Sequence, residues 1–275
     1  MATIPRAVIK RYDEELRRIQ DASGEYVSRA LRERANREGQ TVASLRDDAI
    51  EIMTDALNTY GESAAAAAAD LFSDVMEIEG IAVRGAMRNG VIAAEEVRRI
   101  AHYQAGKIVS DNIDGFIEQM AGSTSFLTRQ VANGTMMAQS ALVQYNGGWR
   151  YSEARGRALW SYSSNGSGGE YQIRYARVPQ GLETCDFCLM LASRGFVYLT
   201  AESAEGWNHT HRGCDCIVVA GIVHKEAGGW VQDTELEGYE RENLNLLRGM
   251  WAERARGDTE GRLEDLESVL GRPEW

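Results

Sequence analysis

The chain has 275 residues, 44% hydrophobic and 26% charged, with 28 Gly and only 3 Pro. This is enough apolar material for a folded core, and it excludes a disordered, collagenous or membrane-spanning chain. Thirty basic against forty-one acidic side chains leave a formal charge of −11, which excludes a protein that coats DNA by counterion release; nucleic-acid contact would have to be local.

The first residues reach charged, helix-like sequence by Arg11 without an apolar core, so no secretory signal is predicted. From Pro5 to about Gln144 the pattern is helical, with breaks expected at Ser23-Gly24, Glu38-Gly39, Tyr60-Gly61, Asn89-Gly90 and Gly122-Ser123. Leu45, Ala49, Ile52, Met53, Ala56, Leu57 and Tyr60 keep helical spacing. The series Val97, Ile100, Ala101, Ala105, Ile108, Val109, Ile113, Phe116, Ile117 and Met120 predicts one longer helix. Both stripes read as helix–helix core. His102 falls off the apolar face and is expected in solvent. Ala64 to Ala69 favour helix rather than a membrane anchor.

A Gly/Ser-rich stretch, Ser163 to Gly169, resembles a phosphate loop only superficially, because no Lys-Ser or Lys-Thr pair follows it. It reads as a linker or turn. Tyr171, Ile173, Tyr175 and Val178 then predict a strand, Asp186 a helix cap with a short helix to about Ser193, and Gly195–Leu199 and Cys216–Val219 two more strands. The fold class expected is mainly α. It comprises a helical region over 1–164, a small α+β module over 165–222 and an acidic helical tail over 223–275. Charge is segregated: 123–181 carries six arginines against Glu153 and Glu170, whereas 221–275 carries seven basic against thirteen acidic groups. That pattern is either solvated surface or a basic face for DNA or an acidic partner.

The four cysteines are confined to the module: Cys185-Asp186-Phe187-Cys188, then 22 residues, then His211-Arg212-Gly213-Cys214-Asp215-Cys216. A CxxC pair can aim both sulfurs at one ion, and a second His/Cys group can close the tetrahedron zinc prefers. The best set is Cys185, Cys188 and His211 with either Cys214 or Cys216. All four cysteines is the next possibility, and His209 is a weaker candidate. A module of about 58 residues is small for an unaided core, so a structural zinc would staple it. Four or five protein ligands leave no open position for an activated water. Thioredoxin-like and deaminase patterns fail for lack of a matching helix context and of a His-x-Glu before Cys185. No GxSxG, HExxH or EF-hand loop occurs, so no enzyme is expected.

Arg177-Val178-Pro179, Cys185-x-x-Cys188, Leu191-Ala192-x-Arg194-Gly195-x-Val197-Tyr198 and His211-x-x-Cys214-x-Cys216 resemble the C-terminal module of phage Mu F-like minor capsid proteins. These are also called head morphogenesis proteins, and the likeness is to those of actinobacterial phages and prophages. It covers roughly residues 174–220. Arg212 stands where the family often has proline and Asp215 where it often has arginine; the candidate ligands are retained. The resemblance implies a non-enzymatic virion protein inside the capsid at the portal vertex, present in the host cytoplasm during assembly. Its partners would be the portal protein and/or the major capsid protein, with an oligomer around the portal, local DNA contact and no membrane. Its task would be head assembly or DNA packaging and ejection, with 1–164 as the portal- or capsid-facing region. The competing expectations are a toxin- or protease-bearing enzyme of the same family and a zinc-dependent DNA-binding protein. The acidic segment after Gly221 is short for a catalytic domain, and Arg194 is the one basic group between Cys188 and His211.

Overall fold

The computed structural model describes residues 2–81, 94–107, 112–146, 150–154, 157–163, 170–180, 186–205 and 216–238, with Asn245, Leu246 and Gly249. They form two compact units. One takes in residues 14–69 and 87–135, the other 1–13, 70–86 and 136–275.

The first unit is helical. It contains most of α1 (Arg6–Ala35) and α2 (Val42–Ile78), α3 (Ala94–Lys107) and the first two thirds of α4 (Ile113–Asn146). Its core gathers the apolar stripes of all four, among them Val27, Leu31, Leu45, Met53, Ala101, Ala105, Phe116 and Met120. Caps set where two of these helices begin. Thr41 and Ser44 hydrogen-bond each other's backbone N–H at the start of α2 (2.9 and 3.2 Å), and Gly39 turns the chain before it at φ 80°. Asn112 Oδ1 accepts from the Gly115 N–H at 2.6 Å ahead of α4. That cap divides the helix expected from Val97 to Met120 into α3 and α4; residues 108–111 between them lie outside the described residues.

Three expected breaks are interior helix positions instead. Gly24 sits where α1 meets α4: Ser125 Oγ donates to the Gln20 carbonyl (2.8 Å), Gln20 Nε2 donates to the Ser125 carbonyl (3.2 Å), and a Cβ on Gly24 would lie 2.6 Å from Ser125 Oγ. Gly61 on α2 likewise faces Val131 of α4, at ordinary contact distance for a Cβ. At these points glycine serves close helix approach, at a modest cost in helix propensity. Gly122-Ser123 is continuous within α4, and Asn89-Gly90 lies outside the described residues.

The second unit carries the strands. A five-stranded antiparallel sheet runs β2 (Arg150–Ala154), β3 (Arg157–Ser163), β4 (Glu170–Val178), β5 (Ile217–Glu226), β6 (Gly229–Gln232). A separate parallel pair joins β1 (Ala2–Ile4) to β7 (Thr234–Leu236) in register Ala2↔Thr234 to Ile4↔Leu236. Strands therefore begin before residue 165 and continue past 222. Contrary to the helical region expected over 1–164, that stretch contains β1, β2 and β3, and the expected helical tail over 223–275 opens on the end of β5, β6 and β7. Most of the rest of that tail lies outside the described residues, as do residues 164–169 of the Gly/Ser stretch. The strands flanking that stretch pair antiparallel, Ser163 opposite Glu170.

β4 and β5 pair over eight positions, from Tyr171↔His224 to Val178↔Ile217. β5 is buried on both faces from Ile217 to Val223, as its unbroken Ile/Val/Ala/Gly sequence allows. Two short helices, α5 (Asp186–Ala192) and α6 (Ala201–Glu205), pack on β4, and α6 also on β5. Asp186 opens α5, as expected. The strand expected at 195–199 is instead a turn: Gly195 has φ 65°, and only Tyr198 bridges to Tyr175 (N–H to carbonyl 3.2 and 2.8 Å in the two directions). The alternation of Phe196 and Tyr198 is real, both being buried, but it fills the sheet's cover rather than a ladder.

Candidate functional site

Cys188 lies on the first turn of α5 and is 2% exposed; Cys216 immediately precedes β5 and is 3% exposed. Arg177 of β4 is opposite Val218 of β5. Because side chains alternate along a strand, Cys216, two residues before Val218, falls on the side of the sheet that Arg177 faces. That is the side covered by α5 and α6: the Arg177 guanidinium donates from Nη2 to Cys188 Sγ at 3.2 Å and from Nη1 to the Ala204 carbonyl of α6, also at 3.2 Å. The structure thus places two of the five expected ligands, Cys188 and Cys216, on one side of β4 and β5. Cys185, His211 and Cys214, with the weaker candidate His209, lie outside the described residues. Among the described residues, no three His, Cys, Asp or Glu side chains are grouped to hold an ion.

The two described sulfurs suit a soft metal. Both are withdrawn from water. One accepts a hydrogen bond from a guanidinium, a partner matched to the thiolate form in which cysteine binds zinc. Aromatic side chains close this end of the module. The Tyr198 hydroxyl donates to the Leu191 carbonyl at 2.8 Å, and burial pushes its phenol up to about 12, with Arg194 and Arg177 opposing. The Tyr175 hydroxyl, also raised by burial, bonds Ser140 Oγ of α4 at 2.8 Å.

The arginine-rich segment does not present its described side chains as a basic face. Arg177 and Arg129 are buried. Arg174 is half-buried, bonded from Nε and Nη2 to Gln172 Oε1 at 3.1 Å and stacked 4.5 Å over the Trp230 ring; burial lowers its guanidinium to about 10. His102 is exposed, as expected.

A second polar cluster joins β5 to the connection between β6 and β7. His224 Nδ1 meets Asp233 Oδ1 at 2.9 Å and Nε2 meets Glu226 Oε1 at 3.1 Å, with the Tyr171 ring 6.1 Å away. The Glu226 hydrogen bond, reinforced by Asp233, raises the imidazole above its usual range against the opposing effect of burial. The folded state therefore binds this proton more tightly than the unfolded chain. The resulting stability is complete below about pH 6.5 and disappears as pH rises through the higher folded value. His224→Gln is expected to cost more at pH 5.5 than at pH 8.5, by no more than about 1 kcal/mol because the pairs are part-exposed. Urea midpoints at the two pH values measure this, and an equal cost at both would remove the histidine from the account. Glu79, hydrogen-bonded to Thr234 Oγ1, is also raised, mainly by burial. Its contribution has the same sign: it is complete below about pH 4.5 and is lost as pH rises above that, because the buried carboxylate must then carry its charge.

Residues 3–245 match the VG15 protein family. The chain belongs to the VG15 protein family. This VG15 family member is also 37% identical over 73 residues to the "Gene 15 protein" of Mycobacterium phage D29, a match that takes in 16% of this chain and 26% of the phage protein. The chain thus spans about a quarter of the length of the curated relative it matches. No solved structure matches the VG15 family member. It is therefore similar to a phage gene product, and no helix among its described residues is long and apolar enough to cross a membrane.

Sequence reasoning overlooked Arg177 as part of the cysteine site. Its signal was present: a single charge at a two-residue step after Ile173 and Tyr175, at a position where the strand's neighbours are apolar.

Proposed function

We propose that this chain is a non-enzymatic minor capsid protein of the head morphogenesis type, acting at the portal vertex inside a tailed-phage head during assembly or DNA packaging and ejection. The observation that carries this is the combination of VG15 family membership and likeness to a mycobacteriophage gene product with the Mu F-like spacing of Cys185, Cys188, His211, Cys214 and Cys216. Long helices with buried stripes and a small cysteine-bearing module suit a protein that presents surfaces to the portal protein or the major capsid protein.

In this reading one zinc ion is held by Cys185, Cys188 and His211 with either Cys214 or Cys216, or by the four cysteines. Bound, it supplies a rigid cross-link between α5 and the start of β5. The burial of Cys188 and Cys216 on one side of the sheet supports that part.

The role is tested on particles of the phage that encodes the chain. Mass spectrometry of purified virions should find it in few copies, and cross-linking in intact heads should join it to the portal protein. Heads that lack it and still assemble, package and eject normally would overturn the role. For the metal, elemental analysis of the purified protein should return about one zinc per chain, and Cys188→Ser with Cys216→Ser should release it. A metal-free protein of unchanged stability would remove the zinc.

A further inference from the structure

Among the described residues, no carboxylate bonds the half-buried Arg174 guanidinium, and its two described partners are both neutral. Arg174 shares a sheet face with Gln172, two residues earlier on β4. The register adds Val223 and Lys225 of β5 and Trp230 of β6 to that face, which is the one turned away from Arg177 and Cys188. The acids bordering the β5–β6 hairpin, Glu226 and Asp233, are engaged with His224, which alternates with Lys225 and so belongs to the other face. Burial lowers the Arg174 guanidinium to about 10, so at neutral pH it keeps its charge while losing part of its hydration. Such a charge is stabilised by an anion.

The group is also held in a fixed plane. Gln172, a buried side chain, accepts from Nε and Nη2 through Oε1 at 3.1 Å, and the guanidinium lies 4.5 Å over the Trp230 ring. That leaves the outer edge of the fork, one N–H from each of Nη1 and Nη2, for a further acceptor. Lys225, an exposed side chain, brings its Nζ to 6.0 Å from the same ring, so two cationic heads converge on one aromatic. A fork already fixed in place loses little freedom when it binds.

Two kinds of macromolecule carry the required charge. A nucleic acid would add base stacking to its phosphate contacts, but Arg174 already covers the Trp230 ring, and a chain of net charge −11 repels a dense polyanion. A protein carboxylate meets neither obstacle. Its two oxygens match two parallel N–H groups of a guanidinium, and an extended segment with acids at alternate positions presents them all to one side.

We infer that Arg174 and Trp230, with Lys225 beside them, form a docking point for an extended acidic segment of a protein partner, one carboxylate of which takes the outer edge of the Arg174 fork. This surface is independent of the zinc reading. It goes beyond the capsid role by assigning the chemistry of a partner to named residues.

The test uses the full chain and three labelled probes in low salt: a peptide alternating glutamate and threonine, the same peptide with glutamine for glutamate, and an oligothymidylate. Fluorescence anisotropy should show the glutamate peptide binding, the glutamine peptide not binding, and added salt weakening the complex. Binding should be about tenfold weaker to Arg174→Gln and to Trp230→Leu, and reduced by less in Lys225→Gln. Undiminished affinity in folded Arg174→Gln would overturn the inference. So would no binding of the glutamate peptide at about 1 mM, or tighter binding of the oligothymidylate than of that peptide. If the Arg174 and Trp230 variants fail to fold, the Arg174 Nε–H resonance of the wild-type protein decides. A shift on titration with the glutamate peptide is expected, and a resonance that stays in place while the peptide binds would overturn the inference.

Discussion

Phe116→Ala is expected to lower the unfolding free energy by about 3–5 kcal/mol, the range for emptying a fully buried aromatic site. Phe116 is 0% exposed in the first turn of α4 and belongs to the cluster that holds Leu45, Met53, Ala101, Ala105, Ile117 and Met120. Alanine would leave a cavity lined by side chains from several helices. Their positions are fixed by long hydrogen-bonded backbones, so collapse around the gap would be incomplete. The measurement is the urea unfolding midpoint and slope, with Tyr103→Ala as a companion. Tyr103 is 57% exposed on α3, and its loss should stay within about 0.5 kcal/mol. A Phe116→Ala protein as stable as the Tyr103→Ala one would mean that α4 does not enter the helical core through this residue.

Gly221→Val should be nearly as damaging, at about 3 kcal/mol, for the opposite reason. Gly221 lies in β5 opposite Arg174, and a Cβ built there would stand 2.5 to 2.8 Å from three atoms of the Phe196 ring. The ring cannot readily yield. Phe196 is buried, and its backbone N–H is held by Gln232 Oε1 at 2.8 Å, in a turn where Gly195 also leaves no room for a Cβ against the Gln232 amide. The strain is specific to one neighbour, so adding Phe196→Ala should recover part of the loss relative to the sum of the single changes. Soluble yield and urea midpoints of the two single variants and the double variant test this. Strictly additive costs would show that the ring does not occupy the space above Gly221.

The helical core was readable because its signal is periodic and local. Leu45, Ala49, Ile52, Met53, Ala56 and Leu57 recur at steps of three and four, and all are buried. The misreadings have physical causes that lie elsewhere in the chain. Gly24 looks like a helix break until Ser125, about a hundred residues later, is seen to need the space its missing Cβ leaves. The apolar period runs from Ile108 to Ile113 as if one helix continued, whereas Asn112 is spent on capping the next. In β3 only Trp160 and Tyr162 alternate with polar neighbours, Ser161 and Ser163, because Leu159 interrupts the pattern, and the Gly/Ser stretch that follows reads as a boundary, so the pairing with β2 and β4 is not legible. The Cys/His spacing of 185–216 is a local property of the sequence, and of its candidates the described residues include Cys188 and Cys216. The inward place of Arg177 on β4 is signalled by Ile173 and Tyr175 at two-residue steps before it, but its relation to Cys188 and Ala204 arises only when β4, α5 and α6 assemble.

The pairing of β1 with β7 has a consequence for the order of synthesis. Ala2–Ile4 is synthesised more than 200 residues ahead of its partner Thr234–Leu236. Every residue of the helical unit, the last of which is Thr135, is made before that partner exists. The helical core can therefore form on the nascent chain while Ala2–Ile4 waits with an unmatched edge, and the β1–β7 pair closes only once Thr234–Leu236 appears. Translation that stalls within β5 or β6 would leave Ala2–Ile4 and the edge of the growing sheet unpaired, and unpaired edges favour edge-to-edge association.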